Sequence, residues 1–262
     1  MKRINLVTWF AVLAVMFGFS SCMDEDDGVR ENISILKVVN SMMSGTVEFE
    51  DVSGLVLRPT SATVYKSDSE LAMVHYEYNA NEVNDAAKSI NIKLMGEPFY
   101  IAGEDMETYE SGTHDAYRNT VLKLVGEECG IWSDEFLILN MAYMLRKNTA
   151  EEDIKEELGN HIFALTYNQE EQKDNGVLKL RLRYKIDSMV PAENMSHEYT
   201  QPFSDMRYWR INDLLSEYMS QHDGEYPQKV MVEFYQDFNA GVAAESMALH
   251  SVELKLDRQY LQ

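Results

Sequence analysis

The chain has 262 residues, 44 of them acidic and 23 basic, for a formal net charge of −21. So acidic a surface repels phosphate backbones and anionic headgroups, and nucleic-acid binding is not expected. Six histidines scattered singly and two cysteines offer no metal-ligand spacing and no disulfide framework, while an apolar fraction of 45% can build a real core over the length of two domains.

Lys2 and Arg3 precede an uncharged run from Leu6 to Phe19, a signal-peptide core too short and wrongly flanked for a permanent span. Ser20-Ser21-Cys22 follows it and resembles the lipobox of bacterial lipoproteins. The resemblance implies a signal peptide over residues 1–21 and a membrane anchor through acyl chains on Cys22, each buried methylene contributing roughly 0.8 kcal/mol. Cys129 is then the only other cysteine. Next stand Asp24, Glu25, Asp26 and Asp27, which resemble the export tag of lipoproteins that Bacteroidetes display on the outer face of the outer membrane. The plainer readings are an uncleaved anchor or simple secretory signal for the apolar run, and a solvated tether for the acids. Residues 22–33 are expected to be that tether.

From Ile35 onward short strand-like segments alternate with turns. Thr46 to Glu50, Leu55 to Leu57, Leu71 to Tyr78 and Ile90 to Leu94 alternate apolar and polar positions or stop at Gly and Pro, which suggests a small barrel or sandwich. Residues 102–119, polar, acidic and dotted with Gly103 and Gly112, read as a linker. The second half brings Val121 to Val125, Ile131-Trp132, a longer run from Phe136 to Leu145, a short helix over Ala150 to Leu158, and a strand from His161 to Tyr167. Asp174-Asn175-Gly176 then leads into the cleanest alternation of the chain, Val177 to Ile186. A strand from Met206 to Ile211, a helix capped by Asn212, and strands at Val230 to Tyr235 and Val252 to Leu256 complete the order, with Val252, Leu254 and Leu256 inward.

This order, lipobox and acidic tail, a strand-rich segment containing Val52 to Pro59, the Leu71 to Tyr78 strand, then Val121 to Val125 leading into Ile131-Trp132, resembles the NigD-like lipoproteins of Bacteroidetes. The resemblance implies an all-β chain: an OB-like small barrel over residues 34–118, linker included, followed by a β-sandwich over 119–262, with one or two short helices. It carries no catalytic residues and no cofactor.

Motif searches agree with that silence. There is no nucleophile elbow, P-loop, dinucleotide fingerprint or zinc pattern, and Glu127-Glu128 beside Cys129 would make its thiol a poor nucleophile. Two features stand out. Lys179, Arg181, Arg183 and Lys185 form a basic stripe, either a sheet face neutralised by Glu233, Glu253 or Asp257 on adjacent strands, or a dock for an acidic glycan or acidic protein partner. Tyr208, Trp209, Tyr218 and Tyr226 around the His222-Asp223-Gly224 turn are either core or a ligand-stacking patch. Asp187-Ser188-Met189 resembles the O-glycosylation pattern of Bacteroidetes envelope proteins, with Ser188 the acceptor. The expected function is a surface-displayed, outer-membrane lipoprotein acting as a non-catalytic binding module. An accessory subunit of an envelope transport or adhesion complex comes second, and a hydrolase with a carboxylate pair third.

Overall fold

Two units follow one another along the chain, divided after Ile101. A computed structural model describes residues 28–40, 47–61, 69–84, 86–125, 129–172, 176–190, 194–237 and 249–255. The readings on the signal peptide, on Cys22, on Asp24, Glu25, Asp26 and Asp27, and on Leu256 and Asp257 lie outside them.

In the first unit, β1 (Val29–Asn40), β2 (Val47–Glu50), β3 (Val56–Pro59), β4 (Leu71–Asn79) and β5 (Ser89–Leu94) pair in the order 1-2-3-5-4, and β1 closes the ring by also pairing with β4. All contacts are antiparallel except β3 with β5, which is the arrangement of an OB-like barrel. β1 can serve both edges because it is 12 residues long: residues 29–37 face β4 and residues 37–40 face β2. A short β6 (Phe99–Tyr100) lies on β4. Alternation puts Val47 and Phe49 inside and leaves Glu48 and Glu50 on the outer side, and Leu36, Leu57, Val74, Ile90 and Ile92 fill the interior. The tether expected over residues 22–33 is therefore shorter, since the strand already begins at Val29. Arg30, Glu31 and Asn32 hide it, being polar at successive positions and held by backbone pairing to β4 rather than by an inward face.

The second unit is a sandwich. One sheet runs β10 (Gly130–Trp132), β11 (Phe136–Arg146), β14 (Tyr199–Arg210) and β7 (Ala102–Glu104), with β9 (Lys123–Leu124) also on β11. The other runs β16 (Leu249–Lys255), β15 (Lys229–Tyr235), β13 (Val177–Ile186), β12 (His161–Tyr167) and β8 (Met106–Thr108). One apolar core draws on both, with Leu139, Tyr143, Leu165, Leu180, Trp209 and Val232 among its members. Three short α-helices accompany the sheets among the described residues: α1 (Ile154–Leu158), α2 (Met195–Glu198) and α3 (Asn212–Gln221).

The segment read as a linker belongs to this sandwich. β7 adds to β14 and β8 adds to β12, both in parallel, so the unit begins at Ala102 rather than at residue 119. Three-residue edge strands bury too little to leave a periodic signal. Gly103 lies opposite Tyr208, and a Cβ there would stand 2.4 Å from the Tyr208 ring. The glycine that looked like a linker residue is thus the flat surface on which a buried aromatic ring rests. β14 also starts earlier than Met206, its first half being masked by Pro202, which sits where β7 no longer pairs. Asn212 is the first residue of α3 and not its cap; Ile211 precedes it, with no side-chain capping bond.

Replacing Gly103 by Ala should force the Tyr208 ring from its place and cost on the order of 1–3 kcal/mol, read as a lower midpoint in chemical denaturation. An unchanged midpoint would show that the ring can move aside freely.

Candidate binding cleft

Four strands reach the same end of the sandwich, since His161 of β12 stands opposite Ile186 of β13 and Arg146 of β11 opposite Tyr199 of β14. There the chain leaves the sheets and encloses a cleft of about 600 Å³. Arg146 enters from the end of β11, Glu157 and Asn160 from α1 and the turn after it, residues 187–190 from the end of β13, and Asn194, His197, Glu198 and Tyr199 from α2 and the start of β14. The volume lies within the range of small-molecule sites, roughly 300–1,000 Å³.

Glu157 is the hub. Its Oε1 accepts from the Arg146 backbone N–H at 3.2 Å and from His161 Nε2 at 3.3 Å, and its Oε2 from Asn160 Nδ2 at 3.2 Å. His161 is buried, and its Nδ1 lies 2.6 Å from the Tyr184 hydroxyl. A carboxylate can only accept, so Nε2 carries the proton and Nδ1 accepts from Tyr184. That assignment is a neutral imidazole, in keeping with a pKa pushed below its ordinary value by burial, which outweighs the pull of Glu157. Burial likewise pushes the Tyr184 phenol well up, keeping it a donor. Behind this trio the Tyr143 ring lies 4.9 Å from His161, and its hydroxyl is 3.4 Å from Asp205. Asp205 and Glu104 in turn hold Arg207, at 2.8 and 2.6 Å.

The basic stripe is engaged within the molecule. Arg181 stands in register with Glu233 on β15 and donates to it from Nε and Nη2 at 3.2 and 2.7 Å. Arg183 lies 4.5 Å over the Tyr109 ring, donates to Thr166 Oγ1 at 3.1 Å and reaches the His114 carbonyl at 3.5 Å. Lys185 sits 4.8 Å over Tyr117. Lys179 is half-buried, its backbone doubly bonded to the Gln172 side chain. His114, itself buried between Tyr109 and Tyr117, is fixed by Glu107 at 2.9 Å. The stripe thus holds down the stretch from Tyr109 to Tyr117 by its cations and that stretch's rings.

The aromatic set is core and offers no stacking face. Tyr208 and Trp209 are 4% and 0% exposed; Tyr218 is buried with its hydroxyl accepting from Gly176 N at 2.8 Å, and Tyr226 packs partly buried on the same core. Ser188 lines the cleft, half-buried, its Oγ accepting from Val190 N at 3.1 Å. Sequence reasoning missed Arg146 and His161 because they stand at the ends of strands read for their apolar runs, and Glu157 because it lies in a short helix noted only for its acidic start. The spacing of Glu157 and His161, four residues apart, is the one local clue. Among the described residues no group of three His, Cys, Asp or Glu could hold a metal ion, and no helix is long and apolar enough to cross a membrane.

The native His161 pKa lies below the ordinary 6.5, so as pH falls the unfolded chain takes up the proton first. The stability that neutral His161 contributes is complete above that value and is lost as pH drops toward the native one. The melting temperature should therefore fall more steeply between about pH 7 and pH 5 in the wild type than in His161→Gln; parallel curves would refute the role of the buried imidazole.

Neither a protein-family model nor a curated protein sequence matches the chain. Solved structures do. A candidate lipoprotein from Bacteroides fragilis is 26% identical, with a TM-score of 0.69 over 87% of this chain and 99% of its own. A protein of unknown function, DUF1344, from Bacteroides vulgatus is 12% identical, with a TM-score of 0.59 over 87% and 92%. A NigD-like immunity protein from Bacteroides caccae is 13% identical, with a TM-score of 0.49 over 87% and 97%. The chain, an OB-like barrel followed by a β-sandwich as expected from its element order, shares its fold with Bacteroidetes proteins that include a candidate lipoprotein.

Proposed function

We propose that the protein is a lipid-anchored lipoprotein of the outer membrane, displayed on the cell surface, which acts as a non-catalytic binding module through the cleft of its second unit. The observation that carries the binding role is the state of the polar groups in that cleft. Glu157 has both oxygens committed to fixed donors. Glu198 accepts from Lys147 at 2.8 Å, which with that ammonium's charge holds its carboxyl below the ordinary range. The Ser188 hydroxyl is bonded to Val190 N and to the Tyr199 phenol, itself pushed up by burial. Polar groups already engaged by fixed partners inside the molecule suit recognition better than proton transfer.

Support for the anchor comes from the lipobox reading at Cys22 and from similarity to a candidate lipoprotein. Display rests on the acidic residues after it. On intact cells, added proteinase should degrade the native protein and spare a variant with Asp24, Glu25, Asp26 and Asp27 replaced by alanine. Protection of both until the outer membrane is opened would put the module in the periplasm and remove the display role of the acidic run.

A further inference from the structure

Charged groups in the cleft fall into those paired or hydrogen-bonded inside the molecule and those left open. Glu198 belongs to Lys147, and Glu157 to Arg146 N, His161 and Asn160. Left open is the Arg146 guanidinium, 56% exposed and reaching Glu198 only at 4.0 Å. Also open is the carboxylate of exposed Asp187, which has no side-chain partner among the described residues while its backbone N–H is pinned to the Asn160 carbonyl at 2.8 Å. The lining also carries Met189, fully exposed, followed by Val190. Tyr199 of the lining is 2% exposed and presents no ring face, while His197 of the lining is exposed.

Each ligand class meets this set differently. A phosphate or an acidic sugar would satisfy Arg146 and be repelled by Asp187. A neutral pyranose would leave a charge of each sign without an ionic partner. A molecule with a carboxylate at one end and an ammonium at the other satisfies both charges at once, the guanidinium fork matching the carboxylate geometry. A tripeptide spans roughly 10 Å when extended, and a cleft of about 600 Å³ can hold it.

We propose that the cleft binds a short peptide by its two free ends, the carboxylate on Arg146 and the ammonium on Asp187, with the peptide's side chains against Met189 and Val190. The proposal rests on the cleft being the module's binding site, and names its ligand class.

The test is calorimetric titration of the detergent-solubilised full chain with trialanine, trialanine amide and N-acetyl-trialanine. Trialanine should bind, and blocking either end should weaken it at least about tenfold, the worth of a charge-assisted contact. In Arg146→Gln, amidation should cease to matter; in Asp187→Asn, acetylation should. Both side chains are exposed, and unchanged thermal melts would confirm that the variants fold. No heat with trialanine up to about 10 mM, or equal affinity for the blocked peptides, overturns the proposal. A parallel titration with maltotriose separates the two levels. If maltotriose binds and Asp187→Asn abolishes it, the peptide proposal falls and the cleft stands as a binding site; if neither ligand gives heat, the peptide proposal falls and the binding role loses its support from the cleft.

Discussion

At one end of the second unit, two phenols and an imidazole are buried between the sheets without stranding their polar atoms. Tyr143, Tyr184 and His161 lie in the core with their rings 4.9–5.9 Å apart. An unmet hydroxyl or ring nitrogen in that setting costs about 1–3 kcal/mol. Each is therefore met from within: Tyr184 by His161, His161 by Glu157, and Tyr143 by Asp205, which Arg207 neutralises while also pairing with Glu104 further out. The cleft follows from this requirement. Glu157 has to lie where the sheets end, since its charge needs both the imidazole and the outward-facing backbone of Arg146, and the turns that bring it there leave a concave wall.

In the first unit the corresponding constraint is closure. A sheet with free edges exposes unpaired backbone groups, and a ring of five short strands removes them. One long β1 solves the geometry by pairing along its first part with β4 and along its last part with β2. Its polar start is tolerated because the bonds it makes there are backbone bonds. Asn32 adds a side-chain bond to Tyr76, a residue of the barrel interior, at 3.1 Å.

The basic stripe shows how a surface feature can serve the fold. Four cations on one strand of so acidic a protein look like a docking face, yet Arg181, Arg183 and Lys185 meet partners on the outer side of the sheet. Arg181 answers the carboxylate opposite it on the neighbouring strand. Arg183 and Lys185 receive two tyrosine rings from the stretch that follows β8, where His114 is packed. This explains why residues past 108, with little apolar alternation, keep a defined path across the sheet.

Strong local patterns were legible in advance. The strand from Val177 to Ile186 could be read because inward side chains recur every second residue, and that from His161 to Tyr167 by its apolar run, whereas the order of barrel then sandwich was what the NigD-like resemblance implied. What stayed hidden was whatever rests on backbone pairing or on contacts distant in sequence. The Ala102 to Thr108 strands, the early starts of β1 and β14, and the burial of Tyr208 and Trp209 are set by neighbours that no local window contains. The same holds for the cleft, whose Arg146, Glu157, Asp187 and Tyr199 span more than fifty residues of chain. By itself the sequence determined which faces are apolar and where the chain turns, because burial writes its period into side chains. Only the tertiary structure decided which charges neutralise one another and which stay open, because an ion pair is fixed by distance in space.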